Sequence, residues 1–432
     1  MTHPFKRPLL RSLCFLAFIC LLSNVCHSET QEAVCTRGFG RFTSISVTGV
    51  TVSVGAVKNG AFARRICEAK FAWDKQRLQV EPEAWQVDID VMGADLGLGT
   101  PVVAFQIRKT EVDSLVKYEI YSLTKPPRNL RTITGGDFFR AADTNLDGRI
   151  EIWTSDAGTV DGFERLPLSA LDFAPAIALR FENRRLMDVS SEFQSYYDRQ
   201  IETLRSKLDA QQLNEFKSCD GSLSTISPLN MEEKRRLVAT KIKILEIVWG
   251  YLYSGREQDA WKALAEMWPP ADFDRIRKSI LSAREHGIRS RVDGVSNALS
   301  RPNAGKQVPI FNEAPDSLSD DQKHTLDVLQ QSMPMLSRNS DDSTHTDAAA
   351  DTKPIPILFM IPPPPENLEA DLKEGVIVSL VIDSAGKVWS AQADAKLDTY
   401  FKGASAGWKF VPAFKGGRPI ASRLRLQVTP RQ

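Results

Sequence analysis

Between residues 43 and 190 the chain consists of short runs in which apolar and polar positions alternate. The apolar positions are rich in Val, Ile, Phe and Tyr, and Gly, Pro and Asp separate the runs. A period of two with such separators is typical of half-buried β-strands joined by turns. Two of these runs flank Glu182–Arg184 and predict a hairpin. The pattern therefore predicts an all-β domain over 29–190, with strands that include "WQVDIDV", "TPVVAFQI", "KYEIYSL" and "RIEIW".

After residue 190 the apolar period changes from two to 3.6, which indicates amphipathic helices. A second helix has Asn230 as its N-cap and Glu233 three residues later, the arrangement of a capping box. Two further helices are predicted over 256–268 and 272–286, and together these elements predict a helical domain over 191–300. The segment 251–273 resembles one tetratricopeptide-type hairpin, and an ordinary helical bundle fits it equally well. The first helix carries its apolar face at Phe193, Tyr197, Ile201, Leu204 and Leu208.

The remainder divides into a polar segment and a compact end. Ser, Asp, Asn and Pro dominate residues 301–366, so this range is predicted to be a disordered linker. From 367 to 432 the order of apolar runs is strand, strand, helix, strand, which predicts a small α+β module. The predicted fold is thus multidomain: an all-β part with blade-like units, a helical part and a β-β-α-β module.

Composition and charge narrow the class of protein. The 432 residues are 42% hydrophobic and 25% charged, which is ordinary for globular domains and excludes a collagen or a membrane bundle. A basic start followed by the apolar run Leu13–Leu22 predicts a signal peptide over 1–28, and the alternative is an uncleaved inner-membrane anchor at 9–25. Cleavage removes three cations and changes the formal charge from +1 to −2, so no nucleic-acid partner is expected.

Three cysteines remain after export. Cys35 and Cys67 are predicted to form a disulfide because both lie in the N-terminal region of a chain expected in an oxidising compartment, the periplasm or the exterior. Cys219 is then left as a free thiol.

The segment "DTNLDGRIE" is the clearest candidate for a metal site. Calcium prefers six to eight hard oxygen ligands, and alternate positions of a tight loop supply them. An EF-hand would place its closing carboxylate at Thr154, so that class is excluded. The loop resembles an FG-GAP or VCBS repeat of integrin-like propellers around 143–151, and an ion-free turn is the alternative. The predicted calcium ligands are Asp143, Asn145, Asp147, the carbonyl of Arg149, and Glu151, with Gly148 at the turn.

The C-terminal module, about 366–432, resembles the TonB C-terminal domain family. The resemblance rests on "VIDSAGKV", on Asp398 at the start of a helix, and on "FVPA" followed by "GGRPI". A shortened segment before the helix and the polar tail "PRQ" depart from that family. The resemblance implies that an extended peptide binds by strand addition.

These features predict a non-enzymatic exported protein with a structural calcium site, which binds a protein or peptide of the cell envelope and retains no membrane span after signal cleavage. The alternative is a TonB-like periplasmic adaptor with an uncleaved anchor. A third hypothesis is a carbohydrate-active enzyme, because Asp88 and Asp90 alternate on one strand as a pair of acids.

Overall fold

The computed structural model describes residues 33–59, 64–166, 168–171, 173–223, 231–296, 335–337, 352–365, 368, 372 and 375–428. Within these ranges the N-terminal part is rich in β-sheet, the middle is helical and the C-terminal part is again rich in β-sheet, as the sequence predicts at that level. The predicted signal peptide, the cap residue Asn230 and most of the predicted linker lie outside the described residues.

The first sheet is an antiparallel meander of strands that follow one another in the chain. Val52, Val54 and Phe71 alternate with polar residues and form its buried face. The short strand β1 does not join this meander, but a disulfide ties it there: Cys35 and Cys67 lie 5.9 Å apart at Cα and are bonded, which confirms the predicted pair. The strands are β1 (Cys35–Thr36), β2 (Arg41–Ile45), β3 (Thr51–Asn59), β4 (Arg64–Trp73) and β5 (Gln76–Ala84).

Two further antiparallel meanders follow, each of four strands among the described residues. Strand β1 pairs with the first strand of the second meander. The second meander contains β6 (Gln86–Met92), β7 (Val102–Arg108), β8 (Val116–Ser122) and β9 (Asn129–Gly136); the third contains β10 (Phe139–Ala142), β11 (Glu151–Ser155), β12 (Ala176–Glu182) and β13 (Arg185–Asp188). The short helices α1 (Ala157–Val160) and α2 (Leu168–Leu171) connect β11 to β12.

The helical part begins directly after β13. Helix α4 was not predicted; it is short, and Asp209 caps it by accepting a hydrogen bond from the Gln212 N–H at 2.8 Å. After the last helix the chain returns to the third sheet, where β14 (Gly294–Val295) pairs parallel to β13. No helix of the described ranges is both long and apolar enough to cross a membrane. The helices are α3 (Gln194–Ser206), α4 (Ala210–Lys217), α5 (Met231–Tyr253), α6 (Glu257–Met267) and α7 (Phe273–Arg284).

The helices share one hydrophobic core with the second and third meanders. The ring of Trp153 lies 4.8 Å from that of Phe193, and the ring of Phe163 lies 6.1 Å from that of Trp249. Position 190 therefore marks a change of secondary structure but not a boundary of packing.

The C-terminal module has its own core, which includes Leu380, Phe401 and Trp408. Its main sheet has the order β15-β22-β17-β18, with β15 parallel to β22. Strands β15 and β16 fall inside the range predicted as linker. The elements are β15 (Met335–Ser337), β16 (Ile355–Leu358), β17 (Val376–Ile382), β18 (Val388–Gln392), α8 (Asp398–Ser405), β19 (Lys409–Val411), β20 (Ala413–Lys415), β21 (Arg418–Ile420) and β22 (Ser422–Val428).

Candidate functional site

The predicted calcium loop connects β10 to β11, which pair antiparallel with Ala142 opposite Glu151. The backbone N–H of Gly148 donates to Asp143 Oδ2 at 3.0 Å and closes the loop. Gly148 has φ +82°, a conformation that favours glycine, so this residue is required by the turn itself.

Asp147, at the rim of the loop, is already engaged by an arginine. Its Oδ1 accepts the Arg149 N–H at 2.8 Å, and its Oδ2 accepts the Arg149 Nε–H at 2.8 Å. The Asn145 amide also bridges to Asp147, at 3.1 Å. Burial by itself would raise the pKa of Asp147, but the hydrogen bonds and charge of Arg149, together with the Asn145 amide, lower it. A cation at this carboxylate would therefore have to displace the Arg149 guanidinium.

Glu151, the predicted closing ligand, is fully buried and paired with Arg180 at 3.0 Å. Its second oxygen accepts the Thr144 N–H at 3.2 Å. Arg180 also contacts Glu182 at 2.7 Å and Glu192 at 2.9 Å, so one buried guanidinium serves three carboxylates. Glu151 thus joins the loop to β12 and to the start of the helical part.

Asp143 differs from its neighbours because one oxygen has no partner. The residue is 1% exposed, and its buried Oδ1 accepts no hydrogen bond. Among the described residues, no three His, Cys, Asp or Glu side chains form a group that could hold a metal ion. The loop thus offers a cation one uncommitted buried oxygen, and calcium binding stays a prediction.

The second oxygen of Asp143 contacts the C-terminal module. The Ser384 hydroxyl donates to Asp143 Oδ2 at 3.0 Å, and the Asp143 N–H donates to Asp383 Oδ2 at 3.0 Å. Asp383 Oδ1 accepts the N–H groups of Ala385 and Lys387, so it also fixes the turn between β17 and β18. Burial, followed by the charge of Asp383, raises the pKa of Asp143 to about 7, and burial raises the pKa of Asp383 to about 6.

Two buried lysines of the module extend this contact to β6. Lys387 Nζ lies 2.5 Å from Asp90 Oδ1, and Lys409 Nζ is bonded to Asp88 Oδ2. All four side chains belong to residues that are at most 3% exposed. Unpaired buried charges are strongly unfavourable, so each lysine requires its aspartate where the module docks. We call these two ion pairs, with the Asp143 contacts, the docking interface.

Apolar packing accompanies the charges at the docking interface. Val411 packs against the core of the first and second meanders, and Ala385 belongs to the core that the helices share. Gly93, with φ +94°, lies against the Phe414 ring, which a Cβ at that position would approach to 3.0 Å. The C-terminal module is therefore packed against the β-rich part.

Asp88 and Asp90, proposed above as a pair of acids for carbohydrate chemistry, have a different environment in the structure. Asp90 Oδ2 accepts the Tyr118 hydroxyl at 2.7 Å and the Ala141 N–H at 2.8 Å, besides the lysine at its other oxygen. Asp88 Oδ1 accepts the Val34 N–H at 3.2 Å. Both carboxylates are buried and bonded within the docking interface.

The sequence reasoning missed this interface, although two signals for it are present. Lys387 directly precedes β18 and Lys409 begins β19, and apolar residues follow each of them, as in "GKVW" and "WKFV". A lysine at a buried strand position needs an acidic partner, and such a partner is rarely local.

Comparisons of the chain with protein families, with curated proteins and with solved structures found no match.

Proposed function

We propose that this chain is an exported, non-enzymatic protein of the cell envelope whose C-terminal module binds an extended peptide by strand addition. One observation carries the proposal: β22 already has an added strand, because Met335–Ser337 pairs parallel with it in register with Arg423, Leu424 and Arg425. This added strand comes from a segment remote in sequence. A sheet that accepts a short strand through backbone hydrogen bonds is suited to accept another one of similar length.

The module's architecture supports a TonB-like fold. Strand β17 lies between β18 and β22 and pairs antiparallel with both, while α8 follows β18 and packs beside it. Gly386 at the first turn has φ +83°, and a Cβ there would lie 1.8 Å from the Phe410 carbonyl oxygen. The motif "DSAGKV" thus has a physical reason for its glycine, and the close approach joins the hairpin to β19.

The disulfide supports export. A bond between Cys35 and Cys67 persists in oxidising compartments such as the periplasm or the exterior. It agrees with the signal peptide predicted from the first 28 residues.

The strand-addition proposal is tested by freeing the edge of β22. Successive backbone N–H groups of a strand point to opposite sides, so replacing both Leu336 and Ser337 by proline removes whichever N–H faces β22. A labelled peptide of residues 331–341 is then added in trans to the full mature chain. We expect this double variant to bind the peptide. Wild type should bind it more weakly, because the tethered segment competes at an effective concentration of roughly millimolar.

The matched control is the same peptide with the two prolines, which should not bind. If neither chain binds the wild-type peptide in a fluorescence anisotropy titration, strand addition at β22 is wrong. Equal binding of the proline peptide would show contacts that do not involve a strand.

A structural calcium ion is the second part of the proposal, and the unpartnered buried Oδ1 of Asp143 is the observation that favours it. Asn145, Asp147, the Arg149 carbonyl and Glu151 would complete the predicted set once the Arg149 side chain leaves Asp147 and Glu151 leaves Arg180. Extracellular calcium modules bind at about 10⁻⁴ to 10⁻³ M, so millimolar calcium should raise the melting temperature of the mature chain. Magnesium at equal ionic strength should have a smaller effect. No rise with calcium would remove the ion from this proposal.

A further inference from the structure

A hollow of about 380 Å³ lies where three turns of the second and third meanders meet. Its wall includes Lys125 and Arg128 from the β8–β9 connection, Arg184 from the β12–β13 turn and Gly99 from the β6–β7 connection. Among the described residues, no acidic side chain lines it. Its volume is at the lower end of the range for small-ligand pockets. We call it the basic hollow.

The cations of the basic hollow are poorly compensated. Lys125 forms an exposed ion pair with Asp74 at 3.3 Å. Within the part of the chain that the structure describes, the guanidinium groups of Arg128 and Arg184 have no acidic partner. These two guanidinium groups repel each other, and an anion bound between them would relieve that repulsion.

Arg184 is held in a backbone conformation that an arginine rarely adopts. Asn183 has φ 53° and Arg184 has φ 65°, as in a two-residue hairpin turn whose second position favours glycine. Such strain commonly marks a functional position. A role of the side chain is therefore the expected reason for an arginine at this position. The side chain lies over Gly99, and its Nη2 atom is 3.5 Å from the position that a Cβ on Gly99 would occupy.

The β8–β9 and β6–β7 connections, which form the other two walls, are held in place by hydrogen bonds within the protein. Ser122 binds the backbone of Arg128 twice: the Ser122 N–H donates to the Arg128 carbonyl at 2.9 Å, and Ser122 Oγ accepts the Arg128 N–H at 3.1 Å. The β6–β7 connection is fixed by Asp95, whose Oδ1 accepts three successive N–H groups, those of residues 97, 98 and 99, at 2.9, 2.7 and 3.0 Å. Pre-organised donors lose little entropy when they bind a ligand.

From this geometry we propose that the basic hollow binds a phosphate group, carried by a small molecule or by a lipid headgroup. Guanidinium groups bind tetrahedral oxyanions through paired charge-assisted hydrogen bonds, and two guanidinium groups without acidic partners favour a dianion over a single carboxylate. This site is distant in the chain from β22 and independent of the proposed strand addition, so either proposal can fail without the other.

The test uses the full mature chain and two probes at constant ionic strength. The first is inorganic phosphate followed by calorimetry, and the second is sedimentation with vesicles that contain phosphatidic acid. Wild type is expected to bind at least one probe, and the probe that binds identifies the source of the phosphate. The variant R128Q/R184Q should bind roughly a hundredfold more weakly, because each of the two lost charged hydrogen bonds weakens binding by about tenfold. The matched control K75Q/R77Q removes two exposed cations of β5 and its turn and should bind as wild type does.

A variant that should stabilise the fold but weaken phosphate binding separates the two effects. Arg184→Gly should raise the melting temperature, because glycine adopts positive φ without strain, and should still lose phosphate affinity. Asn183→Gly should raise the melting temperature and keep the affinity. The proposal is overturned if wild type binds neither probe, or if R128Q/R184Q and K75Q/R77Q weaken binding equally.

Discussion

Replacing Lys387 by methionine tests whether the buried ion pairs hold the C-terminal module in place. The Lys387 ammonium lies 2.5 Å from Asp90 Oδ1 and also donates to the Asp90 carbonyl oxygen. Methionine preserves most of the side-chain volume and removes the charge. Asp90 would keep its bonds from Tyr118 and Ala141 but lose its closest cation.

The expected loss is large because the remaining charge is buried. Removing one partner of a buried ion pair destabilises by about 3 to 5 kcal/mol. Burial already lowers the pKa of Lys387, and methionine recovers that desolvation, so we expect a loss near the lower end, about 3 kcal/mol. In the double variant with Asp90→Asn, the amide oxygen still accepts both hydrogen bonds and no charge is left unpaired. That variant should lie within about 1 kcal/mol of wild type.

Urea denaturation of the mature chain measures these differences, and hydrogen exchange of residues 383–392 locates them. The matched control is Lys402→Met, which breaks a surface pair with Asp398 and should change the free energy of unfolding by less than about 0.5 kcal/mol. The reasoning is refuted if Lys387→Met is as mild as this control. It is also refuted if the double variant loses as much stability as the single one.

Three further changes probe the fold and the free thiol. Gly386→Ala should destabilise by roughly 2 to 4 kcal/mol in urea, since its Cβ would overlap a backbone oxygen of β19, whereas Gly403→Ala in α8 meets no atom within 4 Å and should stabilise slightly. Replacing Cys35 and Cys67 together by serine should lower the free energy of unfolding by about 3 to 4 kcal/mol for a separation of 32 residues; a loss below about 1 kcal/mol would contradict this. Burial raises the pKa of Cys219, so iodoacetamide should alkylate it more slowly at pH 8 than a short cysteine peptide, and an equal rate would contradict that environment.

The local pattern of apolar and polar residues was sufficient to predict the secondary-structure elements, but not which of their residues are buried. In "WQVDIDV" the alternation correctly predicts strand β6, and it also suggests a polar face turned towards water. Yet six of the seven residues of β6 are buried, because the module covers the face that carries Asp88 and Asp90. The partners of these aspartates lie 321 and 297 residues away in the chain, a separation that no local period reports.

The loop at Asp143 shows the same limit. Its spacing predicted a sharp turn at Gly148, and the structure has that turn, with φ +82° at Gly148. The arginine that pairs with Glu151 lies on β12, and the serine that bonds Asp143 lies in the module. Long-range partners of this kind decide which carboxylates are available to an ion.

The buried ion pairs of the docking interface contribute more to the specificity of the docked register than to the stability of docking. Well-packed apolar side chains in place of a buried ion pair are often neutral or more stabilising, so Lys387 and Lys409 are poor choices if tight adhesion is the only requirement. A shifted register would leave two ammonium groups and two carboxylates buried without partners, which the docked arrangement avoids. On release all four charges would be hydrated again, which lowers the free-energy cost of undocking. We therefore expect a single docked arrangement of the C-terminal module, with high specificity for its register and only moderate stability. The double variant Lys387→Met with Asp90→Asn buries no unpaired charge. It should therefore retain the stability of the docked module but lose specificity for the docked register.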